Sequence, residues 1–213
     1  MSIQFNKTMR LSGDQYIAES HPKSMIVLHH TVGGTAKSTF EWWQKGDLKR
    51  IATAFIVERD GTVYEVFDHK YWAYHLGLNG TFGVNDKRSI GIEIASEGGL
   101  IKSSDGKLYC FDRVNPRTEF KDEYYDYGRL WRGYRYYAAY TPPQLDSVIA
   151  LINCLCNIYG IKRQTPKAHY SYSSDLYEYE GVIGHHHVRG DKSDIHPGFD
   201  WNRLIEEVNL SLT

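Results

Sequence analysis

TAFIVERDGTVYEVF, residues 53–67, carries the local signal on which the fold turns. Two runs rich in β-branched and aromatic residues flank Asp60-Gly61, a pair that favours a tight turn, so the stretch reads as a β-hairpin. Towards the C-terminus, SIGIEIA (residues 89–95) is a further strand candidate. Towards the N-terminus, MIVLHH (residues 25–30) is a continuous apolar run ending in two histidines, the pattern of a strand buried on both faces. Between them, STFEWWQKG (residues 38–46) predicts a helix of about two turns stopped near Gly46.

The strongest helix lies further on, at residues 141–160. Thr141 can cap it, Pro142 fits its first turn and Gln144 completes a capping box. Leu145, Val148, Ile149, Ile152, Leu155 and Tyr159 then line one face at helical spacing, and Gly160 ends the run. GVIG (181–184) is a brief last strand and DWNRLIEEV (200–208) a closing helix. Interleaved strands and helices predict an α/β fold with a central mixed β-sheet packed with helices. Residues 102–140, rich in Tyr, Arg and Asp and weakly periodic, read as a long, partly ordered insertion. With no repeat, low-complexity tract or linker, residues 1–213 are expected to form one domain.

Composition narrows the function classes. The 213 residues are 41% hydrophobic and 24% charged, which excludes a disordered or fibrous chain. Lys plus Arg number 25 against 26 Asp plus Glu, so the basic excess of a nucleic-acid binder is missing. No apolar run approaches the roughly 18–20 residues that span a bilayer, so no membrane span is expected. The start, MSIQFNKTMRLSGDQYIAES, lacks the apolar stretch of a secretory signal, so a cytoplasmic protein is expected. Cys110, Cys154 and Cys156 are odd in number and form no CxxC pair, which favours reduced, mostly buried thiols. Seventeen tyrosines and five tryptophans suit either core filling or stacking against sugars and peptides.

The ten histidines are more informative, because they cluster where the chain turns. GHHHVRGDKSDIHPGFDW, residues 184–201, follows an apolar strand and contains Gly190, Pro197 and Gly198, so it is a loop at a sheet edge. It offers His185, His186, His187, Asp194 and His196, and both imidazole and carboxylate are good zinc ligands. A strand ending in His29-His30 would add another imidazole. Three such ligands with an open fourth position describe a catalytic zinc site. In SIGIEIA, Ile90, Ile92 and Ile94 face one way, while Glu93 shares the other face with Gly91 and Ala95. Those small neighbours would leave space beside the carboxylate, as a substrate-side base requires; an edge glutamate facing water is the alternative.

Together IVLHHT, AFIVERDGTVYEV, WAYHLG, SIGIEI and GHHHVRGDKSDIHPGFDW resemble, in the right order, the zinc-dependent N-acetylmuramoyl-L-alanine amidases, which share a fold with peptidoglycan recognition proteins. The resemblance covers about residues 24–100 and 141–201. It implies a zinc cofactor on His29, His185 and Asp194, with His30 left to packing or ligand support and His186 the competing imidazole. The interval from His185 to Asp194 is one residue longer than in the short phage enzymes and one shorter than in the cytosolic ones. Many relatives have Cys where this chain has Asp194, and some carry a catalytic Tyr where it has Thr53. In the branch lacking that Tyr, the Glu matching Glu93 serves instead, so the two departures agree.

The implied reaction is hydrolysis of the amide joining N-acetylmuramic acid to L-alanine in peptidoglycan. Glu93 would be the catalytic base, Lys192 would stabilise the oxyanion, and His75 and Trp72 would bind substrate. The expected protein is a monomeric phage endolysin, held in the host cytoplasm until lysis. Its alternatives are a cytosolic wall-recycling amidase and a non-catalytic peptidoglycan-binding module. A glycosidase with paired carboxylates leaves both histidine clusters without a purpose, and a helical zinc peptidase is disfavoured because no HExxH occurs.

Overall fold

The computed structural model describes residues 3–46, 50–78, 83–111 and 117–213. In chain order the elements are β1 (Met25–His30), α1 (Ala36–Gln44), β2 (Phe55–Val57), β3 (Val63–Glu65), α2 (Val84–Arg88), β4 (Ser89–Ile94), β5 (Gly99–Lys102), β6 (Leu108–Tyr109), β7 (Tyr124–Trp131), β8 (Tyr134–Ala138), α3 (Pro142–Tyr159), β9 (Gln164–Thr165), β10 (Gly181–Gly184), α4 (Trp201–Val208) and β11 (Ser211–Leu212). The central sheet has the order β10-β1-β4-β2-β3. Its first four strands run parallel and β3 closes the edge antiparallel, as a hairpin on β2. The predicted α/β fold with a mixed sheet is the one observed.

The hairpin turns where Asp60-Gly61 predicts. The Glu58 amide donates to the Thr62 carbonyl at 2.9 Å, and Gly61 takes the left-handed conformation at φ 88°. α3 starts on the predicted capping box, Thr141 accepting from the Gln144 amide while the Gln144 side chain accepts from the Thr141 amide. Its buried face, with Val148, Leu151, Ile152 and Leu155 fully enclosed, packs with α4 on Ile26 and Leu28 of β1 and on Ile90, Ile92 and Ile94 of β4. Each such aliphatic side chain contributes about 1.5–3 kcal/mol by leaving water. The other face of β1, Met25 and Val27, meets Leu76, Leu78, Ile183 and Val188 in a smaller cluster. β1 is therefore buried on both faces.

Lys23, just before β1, is 4% exposed and donates to the carbonyls of Tyr71, Lys87 and Ser89 at 3.0, 2.9 and 3.2 Å. It ties the segment before residue 75 to the junction of α2 and β4. Cys110 and Cys156 are buried and Cys154 partly so, all as free thiols. Among the described residues no helix is long and apolar enough to cross a membrane.

The stretch 102–140 is more ordered than its sequence suggests, although residues 112–116 lie outside the described residues. β5, β6, β7 and β8 form a four-stranded antiparallel sheet in the order β6-β5-β8-β7. β7 shows no apolar alternation because it is exposed along most of its length. Cross-strand polar and aromatic pairs support it, among them Arg135–Asp126 at 2.7 Å and the Tyr124–Tyr136 rings at 5.8 Å.

Candidate active site

Three of the parallel strands deliver site residues at their carboxyl ends, the edge where open α/β sheets carry ligand crevices. His29 is the penultimate residue of β1 and Glu93 that of β4, and the two are paired in the parallel ladder. His185 follows the last residue of β10 and opens a 3₁₀ turn over His185–His187. Asp194 comes from the loop beyond, held in place where the His186 amide donates to its carbonyl at 2.7 Å.

The Nδ1 atoms of His29 and His185 both approach Asp194 Oδ2, at 2.9 and 3.0 Å. All three residues are buried, and their ligand-type atoms lie within 4.8 Å of one another. Each imidazole is tethered through its far nitrogen, His29 Nε2 to His75 Nδ1 at 3.0 Å and His185 Nε2 to the Leu76 carbonyl at 3.0 Å. A carbonyl only accepts, so His185 Nε2 donates to Leu76, and Nδ1 is the ring nitrogen turned to the carboxylate. Two imidazole nitrogens and a carboxylate oxygen turned to one point are donors that a bound cation would join. Burial is the chief cause that lowers His29 to about 4, which keeps it neutral and able to ligate. Burial opposes ionisation of Asp194, but the neighbouring His185 and His29 outweigh it and hold the carboxyl well below its usual range. Two imidazoles and a carboxylate with room beside them fit a catalytic zinc ion.

The trio forms one wall of a cleft of about 350 Å³ that Glu93, His75 and Lys192 also line. Glu93 Oε2 is buried and has no hydrogen-bond partner among the described residues. Burial pushes its carboxyl well above the usual range; the charge of Asp194 adds to this and that of Lys192 opposes it. The space beside Glu93 is not what the neighbouring glycine suggests. A Cβ on Gly91 would meet Thr53 Cγ2 at 2.6 Å and His75 Nδ1 at 3.2 Å, so those side chains fill the gap. Thr53, where some relatives carry Tyr, is buried, and its hydroxyl donates to the Phe55 carbonyl at 2.9 Å.

Of the expected site residues, His29, His185, Asp194, Glu93, Lys192 and His75 meet in one cleft and Trp72 does not. Trp72 is 9% exposed and packs edge-on against Tyr74 at 5.5 Å, so no stacking on substrate is proposed for it. His75 lines the cleft, but both its ring nitrogens are engaged, Nδ1 with His29 and Nε2 with Ser89 Oγ at 2.7 Å. That leaves no free N–H for an oxyanion. His186 turns away, its Nε2 donating to the His169 carbonyl at 2.6 Å and its ring lying 5.3 Å from Trp131. His30 points to the opposite face from His29 and hydrogen-bonds the Tyr140 hydroxyl at 3.3 Å.

Sequence reasoning missed the cleft's aromatic rim. Trp42 and Phe111 line it while 54% and 50% exposed, together with Tyr134 from β8. A signal existed for Trp42: Ala36, Thr39 and Trp43 make the buried stripe of α1, which leaves Trp42 off it. Tyr134 comes from the second sheet and Phe111 from the segment just after β6, and neither stretch had a periodic signature. The other grouping of metal-ligand types among the described residues, Glu65 with Asp68 and His69, is a charge cluster instead. There Glu65 already pairs with Lys7 at 2.9 Å and Arg10 at 3.2 Å.

Residues 19–198 match the family model described as N-acetylmuramoyl-L-alanine amidase. No protein of curated function matches the sequence. Among solved structures, the chain is similar to the N-acetylmuramyl-L-alanine amidase AmiD from E. coli, solved with the substrate anhydro-N-acetylmuramic acid-L-Ala-D-gamma-Glu-L-Lys. The TM-score is 0.56 and the identity 19%, covering 89% of this chain but only 59% of that one. It is similar also to the endolysin N-acetylmuramoyl-L-alanine amidase LysCS from Clostridium intestinale URNW, with TM-score 0.55, 19% identity, and 98% and 99% of the two chains covered. AmpD gives TM-score 0.52 and 18% identity over 96% of each chain. At these identities the likeness is one of fold.

Proposed function

Because the chain belongs to the N-acetylmuramoyl-L-alanine amidase family, we propose that it is a zinc hydrolase of peptidoglycan, cleaving the amide between N-acetylmuramic acid and L-alanine, and that it serves as a phage endolysin. The observation that carries this reading is the convergence of His29 Nδ1, His185 Nδ1 and Asp194 Oδ2 in the cleft that also holds Glu93 and Lys192. These three residues would hold the metal. When bound, zinc supplies acidification of water and polarisation of the amide carbonyl.

Glu93, which lines the cleft, takes the proton from the attacking water as the water oxygen bonds to the carbonyl carbon. The same carboxyl then hands that proton to the alanine nitrogen as the C–N bond breaks. The products are a muramyl carboxylate and a stem peptide with a free amine. Burial and the Asp194 charge push the Glu93 carboxyl up, and a cation held by His29, His185 and Asp194 would offset that rise and favour the carboxylate. Lys192 Nζ holds the negative oxygen of the tetrahedral intermediate in this enclosed site. Trp42, Phe111 and Tyr134 offer apolar faces for the sugar ring and the peptide.

The endolysin setting is supported by the likeness to LysCS along nearly the whole of both chains. The deciding experiment is mass spectrometry of purified cell-wall sacculi digested with the protein. Intact glycan strands with free muramyl carboxyls and released stem peptides are expected. Cleaved disaccharides overturn the amidase reading. Action on soluble muropeptides but not on sacculi moves the protein to wall recycling.

A further inference from the structure

The metal-binding reading above leaves open what turns two imidazoles so that both present the same nitrogen. A neutral imidazole has one N–H and one bare nitrogen, and only the bare one can ligate. His29 and His185 come from different strands, yet their far nitrogens are held by adjacent residues, His75 and Leu76. That two-residue segment is itself fixed from outside the cleft. Asp86, 2% exposed, accepts the backbone amides of His75 and Leu76 on one carboxylate oxygen at 2.8 and 2.9 Å, and that of Gly83 on the other at 3.2 Å. The Leu76 carbonyl is thereby aimed at His185 Nε2 and can only accept from it.

The His29 side follows from a chain of hydrogen bonds. Ser89, 3% exposed at the start of β4, donates its hydroxyl proton to the Asp86 carbonyl at 3.1 Å. With that proton committed, Ser89 Oγ accepts from His75 Nε2 at 2.7 Å. His75 Nδ1 is then bare and accepts from His29 Nε2 at 3.0 Å, which leaves His29 Nδ1 bare and directed at Asp194. The Ser89 backbone is held in turn by Lys23, whose Nζ donates to its carbonyl at 3.2 Å.

We propose that Ser89 and Asp86 are positioning residues for the metal: through His75 and Leu76 they set His29 and His185 as Nε2–H tautomers, so that both bare Nδ1 atoms face Asp194. The inference rests on the zinc reading of the site and adds to it the source of ligand orientation. Partners that orient ligating histidines typically contribute about 10–100-fold in metal affinity.

The test is zinc affinity of the full chain, measured by competition with a chromophoric chelator. It is combined with long-range ¹H–¹⁵N spectra of the imidazoles in the zinc-loaded wild type. Expected are Nε2–H signals for His29, His75 and His185. Ser89→Ala should weaken zinc binding about 10–100-fold, while Ser89→Thr, which keeps the hydroxyl, stays within a few-fold of wild type. Unchanged affinity in a folded Ser89→Ala chain overturns the proposal. So does a wild-type His75 carrying its proton on Nδ1, a result that decides the matter even if the variant does not fold. A wild-type chain that binds no zinc overturns the reading beneath instead.

Discussion

His29 and Glu93 are partners in the parallel ladder between β1 and β4, so a metal-ligand candidate and the base candidate stand side by side on one face of the sheet. The backbone pairing sets their spacing, and neither depends on a loop for its position. Removing the carboxylate chemistry of Glu93 should therefore leave the metal site assembled. Glu93→Gln is expected to keep near wild-type zinc content by elemental analysis while turnover on peptidoglycan falls about 10²–10⁴-fold. A fully active Glu93→Gln enzyme would sink its assignment as base.

Asp194 Oδ2 is the atom on which both histidine Nδ1 atoms converge. Asp194→Ala is expected to lose both zinc and activity. In the wild type, dialysis against a strong chelator should abolish stem-peptide release and added zinc should restore it. Activity that survives chelation would contradict a metal mechanism.

Lys192 lines the cleft next to Glu93 and Asp194. Its charge would act on the oxyanion, which exists only once water has added. Lys192→Met is expected to lower kcat about 10²–10³-fold with little change in KM. A rise in KM alone would make Lys192 a binding residue.

Trp42 is 54% exposed on the cleft rim, so its removal costs the fold little. Trp42→Ala should leave the thermal midpoint within a few degrees of wild type and raise KM on sacculi several-fold. An unchanged KM would place substrate elsewhere along the cleft.

Away from the cleft, Glu65 gives a pH dependence of stability. Burial alone would raise its carboxyl, but hydrogen bonds and charges from His69 and Lys7 outweigh it and hold it at about 2, against an ordinary value of 4.5. A depressed carboxyl stabilises the fold above the unfolded pKa and loses that contribution as pH falls through the folded one. Denaturation midpoints should show wild type more stable than Glu65→Gln at pH 6. The gap should narrow steadily from about pH 4.5 towards pH 2. A gap independent of pH would mean the pairing contributes nothing through charge.

Much of this is legible in the sequence. The α3 capping box, the hairpin at Asp60-Gly61 and the apolar period of β4 are local properties, settled by neighbours a few residues apart. The second sheet was not legible, because β7 is exposed along most of its length and has no buried face to impose a period of two. Nor was the aromatic rim, since exposure of Phe111 and Tyr134 depends on how that sheet sits.

Local pattern in the chain was enough for the strands and helices of the central layer, and it put metal-ligand residue types at strand ends and in the 184–201 loop. Tertiary structure decided which of two adjacent histidines enters the site. β1 is covered on both faces, so apolar pattern could not separate His29 from His30. Their different surroundings arise because Leu76 and His185 lie on one side of the sheet and Tyr140 and His196 on the other. The same holds for His185 and His186, set apart by the path of the loop that returns Asp194. Alternation places neighbouring side chains on opposite faces, but only long-range packing says which face holds the chemistry.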